Sequence, residues 1–182
     1  NAAGGWNALG SNTTGSFNTA FGGGSLDANT TASNNTAFGH KALTENTTGY
    51  DNVAVGRNAL DANTTAHSGV AIGESALSSN TTGIRNVAVG QNCMANCTTG
   101  TENTAVGQNA LATNTTGQYQ TAMGQGALYA SNADHNSAFG VSALSACTTG
   151  VHNTAMGRNA ASALTTGTNN ISIGNYTMNG TA

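Results

Sequence analysis

Residues 35–51 read NTAFGHKALTENTTGYD, and residues 52–68, which follow at once, read NVAVGRNALDANTTAHS. The second stretch respells the first: Asn, Thr or Val, Ala, a large apolar residue, Gly, two free positions, Ala-Leu, two more free positions, then Asn-Thr-Thr. Self-similarity at a fixed period decides an architecture before any single residue does. Cut before each such start, the chain falls into coils beginning at residues 1, 18, 35, 52, 69, 86, 103, 120, 136, 153 and 170. The spacing is 17 throughout, except for 16 between Gln120 and Asn136, which makes ten coils and a partial eleventh in one domain, residues 1–182.

Each of the seventeen columns reports what one structural environment tolerates. Column five is Gly in every coil, from Gly5 to Gly174, so a side chain is excluded there by positive φ or by close backbone approach. Column three is Ala until Ser172 and faces a tight space. Column four (Phe21, Phe38, Val55, Ile72, Val89, Val106, Met123, Phe139, Met156, Ile173) is an apolar ladder, and column nine, Leu or Met except at Ala161, is a second. Lys, Arg and Glu, and every Asp except Asp134, fall in columns six, seven, ten, eleven and seventeen, the expected solvent-facing turns.

A unit of 17 residues with two glycine breaks and no apolar spacing of 3.6 cannot hold an amphipathic helix. Short β-branched and apolar triplets ending at Gly fit strands. Stacked once per coil, about 4.8 Å apart, they give an all-β parallel β-solenoid on the order of 50 Å long. Neighbouring strand residues point to opposite faces, yet columns three and four are both uncharged and mostly apolar, as in a strand covered on both sides. One face is expected to fill the coil and the other to meet another chain.

Composition narrows the function. Charged residues make up 6% of the chain, against roughly 25% in an ordinary soluble protein, and proline is absent. Asn, Thr, Ser, Gln and Gly therefore form the surface, as in a fibre or extracellular module. Regular apolar columns argue against disorder. The net charge of −3 and four scattered cations, Lys41, Arg57, Arg85 and Arg158, exclude a nucleic-acid groove. No apolar run approaches the roughly 20 residues of a membrane helix.

The segments NVAVGQNC (residues 86–93) and GVAIGESAL (69–77) resemble the head repeats of trimeric autotransporter adhesins, the YadA-like heads, built on S-x-A-[IV]-G-x-x-A. The resemblance extends over essentially the whole chain and implies a left-handed parallel β-roll, three chains side by side and an extracellular adhesive role. The longer period and the added ALxxNTTG half depart from that pattern, and are similar instead to repetitive tail-fibre shafts. Both imply a fragment of a longer fibrous chain.

The triplet NTT matches the N-glycosylation acceptor at Asn12, Asn29, Asn46, Asn63, Asn80 and Asn114. The same column holds Cys97, Ser131, Cys147 and Leu164, so it looks inward, and a hydrogen-bonded Asn ladder is the expected reading. Sequons elsewhere, at Asn34, Asn96, Asn170, Asn175 and Asn179, are the freer candidates for a glycan. Cys93 and Cys97 occupy columns eight and twelve of one coil. They read as small buried thiols replacing Ala and Asn, with a Cys93–Cys97 bridge as the alternative if those columns face each other. Cys147 stands about 14 Å away along the stack, beyond disulfide reach.

No Cys/His set of zinc spacing occurs, and GGGSLD (residues 22–27) carries Ser25 where a calcium nonapeptide needs Gly. His40, His67, His135 and His152 read as solvated turn residues. Asp27 and Asp61, two coils apart in column ten, approach an inverting glycosidase's carboxyl spacing of roughly 6.5 to 9.5 Å, but no inserted loop makes a cleft around them. Thr ladders in columns two, thirteen and fourteen raise lattice or ice binding, yet Thr13 and Thr14 are adjacent and point to opposite sides.

These readings converge on a non-enzymatic fibre segment, shaft or adhesive head, extracellular and without cofactors. A homotrimer or homopolymer is expected, with a host surface or carbohydrate as ligand. A solenoid subunit of a head-to-tail filament is the alternative.

Overall fold

The computed structural model describes residues 1–178. Eleven three-residue strands, β1 (Ala2–Gly4), β2 (Thr19–Phe21), β3 (Thr36–Phe38), β4 (Val53–Val55) and so on to β11 (Ile171–Ile173), form one parallel sheet in strict chain order. Register follows the columns: Ala37 of β3 lies opposite Ala20 and Ala54, and Phe38 opposite Phe21 and Val55. The chain is a β-solenoid, with one strand per coil followed by turns and no helix among the described residues.

The turns are set by residues in left-handed backbone conformation. The first closes with the N–H of Ala42 on the carbonyl of Gly39 (3.3 Å), the second with that of Asn46 on Leu43 (3.3 Å). Column seven, the third position of the first turn, has φ near +57° in coil after coil, as at Lys41 (58°), Asn58 (59°) and Asn92 (54°). A turn with positive φ there favours Gly and Asn, which fill most of the column. Column nine is left-handed as well, with Leu43 at 53° and Leu60 at 52°. A bulky residue is costly in that region; the Leu side chains hold it by filling the core, where Leu43 and Leu77 are fully buried.

Column five needs glycine on both counts expected of it. Gly56 has φ +133°, and a Cβ on it would stand 2.5 Å from the carbonyl oxygen of Gly73 in the next coil. The interior is a stack of column-three Ala, column-eight Ala and column-nine Leu. With Leu already inside so small a coil, only Ala fits beside it, and the larger column-four residue is turned out. Ala37 is 0% exposed while Phe38 is 43% exposed.

Candidate functional site

Two amide ladders run through the rod. In column twelve, Nδ2 of Asn29, Asn46, Asn63 and Asn80 donates to Oδ1 of the Asn one coil earlier, at 2.7, 3.1, 2.7 and 3.3 Å, beginning at Asn12. Each amide also donates to the carbonyl three residues on, as Asn46 does to Gly49 (2.9 Å). Asn114 is buried too and grips Gly117 through both ends of its amide, but Cys97 stands between it and Asn80. Asn80 Oδ1 is consequently buried without a partner. A glycan cannot be seated on side chains enclosed in this way.

Column one forms a parallel ladder that the repeat boundary concealed. Asn35 Nδ2 donates to Gly49 O (2.8 Å), and its Oδ1 accepts the backbone N–H of Asn52 (3.0 Å). The readable signal was a column of nearly constant Asn that never turns charged, replaced only by Gly69 and Gln120.

Of the other sequons, Asn34, Asn96 and Asn175 are exposed. Asn170 is half-buried and spends its amide on Asn153 Oδ1 (3.0 Å) and Thr168 O (3.2 Å). Asn179 lies outside the described residues.

The Cys93–Cys97 alternative is corrected: all three cysteines are free and buried. The Cys93 thiol reaches across to Ala105 O in the next coil (3.3 Å), while that of Cys97 follows the column-twelve path to Gly100 O (3.7 Å), so the two sulfurs are directed to different partners. Burial pushes the Cys93 thiol up to about 12 and that of Cys97 to about 11, against a smaller lowering by backbone hydrogen bonds.

On the turns, Arg57 pairs with Glu74 and Arg85 with Glu102, each across one coil. Aromatic rings far apart in the sequence are brought into stacks: Tyr50 on His67 (4.6 Å between centroids), and Tyr119 on His135 on His152 (4.9 and 5.1 Å). His135 and His152 are therefore neighbours, one full coil of 17 residues apart in column seventeen. Thr44 lies between Asp27 and Asp61 and donates to Gly24 O (2.9 Å). Burial raises the Asp61 carboxyl above its ordinary value, opposed by its own and Ala62's backbone N–H and by Lys41, and its Oδ1 has no partner. Among the described residues no three His, Cys, Asp or Glu cluster as metal ligands.

Column-thirteen hydroxyls are consumed by the next coil's carbonyls, as from Thr47 to Thr64 (3.1 Å), while column-fourteen Thr side chains, such as Thr48 and Thr65, face solvent.

The outer face of the sheet is an apolar strip. Phe21, Phe38, Val55, Ile72, Met123 and Met156 are each 37–48% exposed, in one line, with Phe21 stacked on Phe38 at 5.3 Å. Thr or Val of column two flanks them, and no charged residue enters columns two to four.

Comparison with protein-family models, with curated proteins and with solved structures finds no match.

Proposed function

We propose that this chain is a non-enzymatic structural and adhesive segment of an extracellular fibre, in which rods associate side by side as homotrimers through the outer face of the sheet. The observation that carries this reading is the exposed column-four ladder. Ten coils at about 4.8 Å and a width of about 10 Å make a strip on the order of 500 Å², the upper end of what a monomer leaves open to water. It is uncharged and keeps strict register from coil to coil, as suits a second rod of the same pitch. The YadA-like repeat resemblance supplies the three-fold arrangement and a cell-surface setting, and the likeness to tail-fibre shafts supplies a virion setting. The turn side, carrying the ion pairs and aromatic stacks, is left outward for adhesion.

Native mass measured in dilute solution tests this. The expected result is three times the chain's 17.9 kDa, reduced to one by Ile72→Glu with Val89→Glu while the β-sheet signal persists. A folded monomer of unaltered sequence overturns the association; open-ended polymers favour the head-to-tail filament.

A further inference from the structure

Coil eight interrupts the turn surface. Column seven there is Gly126, and column ten is Tyr129, the only aromatic residue in its column. Together with Asn109, Gln125, Ser142 and Ser145 they line an open depression of about 400 Å³, within the range of small-ligand sites.

The floor is bare because Gly126 carries no side chain, and a Cβ placed on it would meet nothing nearer than Ser142 Oγ at 3.7 Å. The other column-seven glycine, Gly24, has Lys41 of the next coil beside it, with Cγ at the same 3.7 Å and a chain long enough to extend over the gap. Ser142 is too short to do so. Tyr129 forms the wall, 44% exposed, with its backbone carbonyl held by Thr113 N–H (3.2 Å) and Thr113 Oγ1 (2.8 Å).

The lip is the end of a hydrogen-bonded chain. Arg57 donates to Glu74, Gln91 Nε2 donates to the other oxygen of Glu74 (3.4 Å), Gln108 to Gln91 (3.1 Å) and Gln125 to Gln108 (3.3 Å). Every amide points its N–H toward the carboxylate, and such chains polarise cooperatively. The next residue in the column is Val141, whose side chain has no donor, so Gln125 Oε1 ends the chain with its acceptor free at the edge of the depression.

We infer that this depression is a subsite for one ring of a neutral saccharide, with Tyr129 as stacking platform and Gln125, Asn109, Ser142 and Ser145 as partners for its hydroxyls. An aromatic wall offers an apolar face with a polar tip, amides and hydroxyls supply both donors and acceptors, and no charged side chain lines the site, which matches an uncharged polyol. Anchoring of the Gln125 amide on Gln108 before binding lowers the ordering cost. The proposal rests on the adhesive reading and names its ligand class.

The test is saturation-transfer NMR on the full chain with cellotriose, mannotriose and chitotriose. At least one is expected to bind, and Tyr129→Ala and Gly126→Lys are each expected to weaken it at least about tenfold, as loss of an aromatic anchor or blocking of its pocket does; Thr48→Ala leaves it unchanged. Lys41 already occupies column seven at φ 58°, so Gly126→Lys keeps the fold. No transfer from any of the three sugars, or equal binding by Tyr129→Ala and Gly126→Lys, overturns the subsite. Native mass of the same samples separates the two readings: a trimer that ignores sugars loses only the subsite, and a monomer that binds them loses only the association.

Discussion

Coil three (residues 35–51) and coil eight (120–135) close the same circuit with 17 and 16 residues. In the regular coils the main chain makes the column-thirteen junction: Thr64 O accepts from Thr47 N (3.0 Å), Thr48 N (3.2 Å) and Thr47 Oγ1. Coil eight lacks the column-fourteen residue, and a side chain stands in for the backbone. Asn132 Oδ1 accepts from Thr115 N (3.0 Å), Thr116 N (2.9 Å) and both their hydroxyls. Asp134 Oδ1 takes the N–H of Gln118 (2.8 Å), as Ser33 Oγ takes that of Ser16 (2.9 Å). Inside, the repair is incomplete. Asn35 is bonded at both ends of its amide, whereas Gln120 accepts only from Ser131 (2.6 Å) and leaves Nε2 buried without a partner. The rod therefore requires an acceptor at a given point in space rather than a given residue, and tolerates deviation more readily on its wet side than in its core.

The largest effect that breaks this comparison lies where neither kind of coil has an alternative. Gly56→Ala places a Cβ 2.5 Å from the Gly73 carbonyl, and the backbone of one coil cannot yield without displacing the next. A loss of more than about 4 kcal/mol, the range of severe steric substitutions, is expected in urea denaturation followed by circular dichroism. Gly126→Ala in coil eight has open space and only the left-handed backbone to accommodate, about 1–2 kcal/mol. Equal losses at the two sites would show that the column-five stacking is looser than its geometry.

Alkaline stability separates coil six from both. Its thiols have folded values raised from 9.0 to about 12 and about 11, so the folded chain holds its protons after the unfolded chain has released them. The stability is fully present below pH about 9 and falls as pH rises from there toward 12. Cys93→Ala, which restores the usual column-eight residue, flattens that decline, and a thiol reagent at pH 8 reacts only on unfolding. A midpoint that does not move between pH 8 and 11 would contradict it.

Asn132→Ala comes next, at about 2 kcal/mol for four bonds that water partly replaces. Thr64→Ala in the equivalent place costs less than half of that, since the acceptor there is main chain. Insertion of Thr after Asn132→Thr, which rebuilds a coil of 17, recovers the loss.

How much of this was legible depends on whether a column's chemistry has one cause or several. Column five admitted no residue but Gly, and both causes of that, φ and contact, are found. Column twelve was legible as an inward ladder because Cys97 and Leu164 have no reason to replace an exposed Asn. Column one carries the same burial and bonding but offered no such telling replacement. The sense of the strand was hidden because alternation says that Ala37 and Phe38 oppose each other without saying which is inside; the volume left beside Leu43 decides it. Left-handed Leu is invisible in principle, since burial and backbone strain ask for opposite residues and only packing shows which prevailed. The depression at Gly126 arises from two columns deviating in the same coil, which no single column reveals.

Cys97→Asn gives the smallest effect and the cleanest test of the ladder. Asn80 Oδ1 is buried without a partner because the thiol above it has its proton on Gly100 O. An Asn in that slot would carry Nδ2 to Asn80 Oδ1 and offer its own Oδ1 to Asn114, joining two ladder segments into one. The side chain is close in size to its neighbours in the column, and the i, i+3 carbonyl that holds Asn46 is also present at Gly100. Filling one orphaned acceptor and adding one amide pair, less the entropy of fixing the side chain, should stabilise the rod by about 1 kcal/mol. The same substitution at Cys147 has Ser131 below and Leu164 above, neither of which continues an amide ladder, and should gain nothing. If the two variants shift the urea midpoint equally, the amides act one coil at a time; if only Cys97→Asn does, stabilisation in the rod's interior is transmitted from coil to coil.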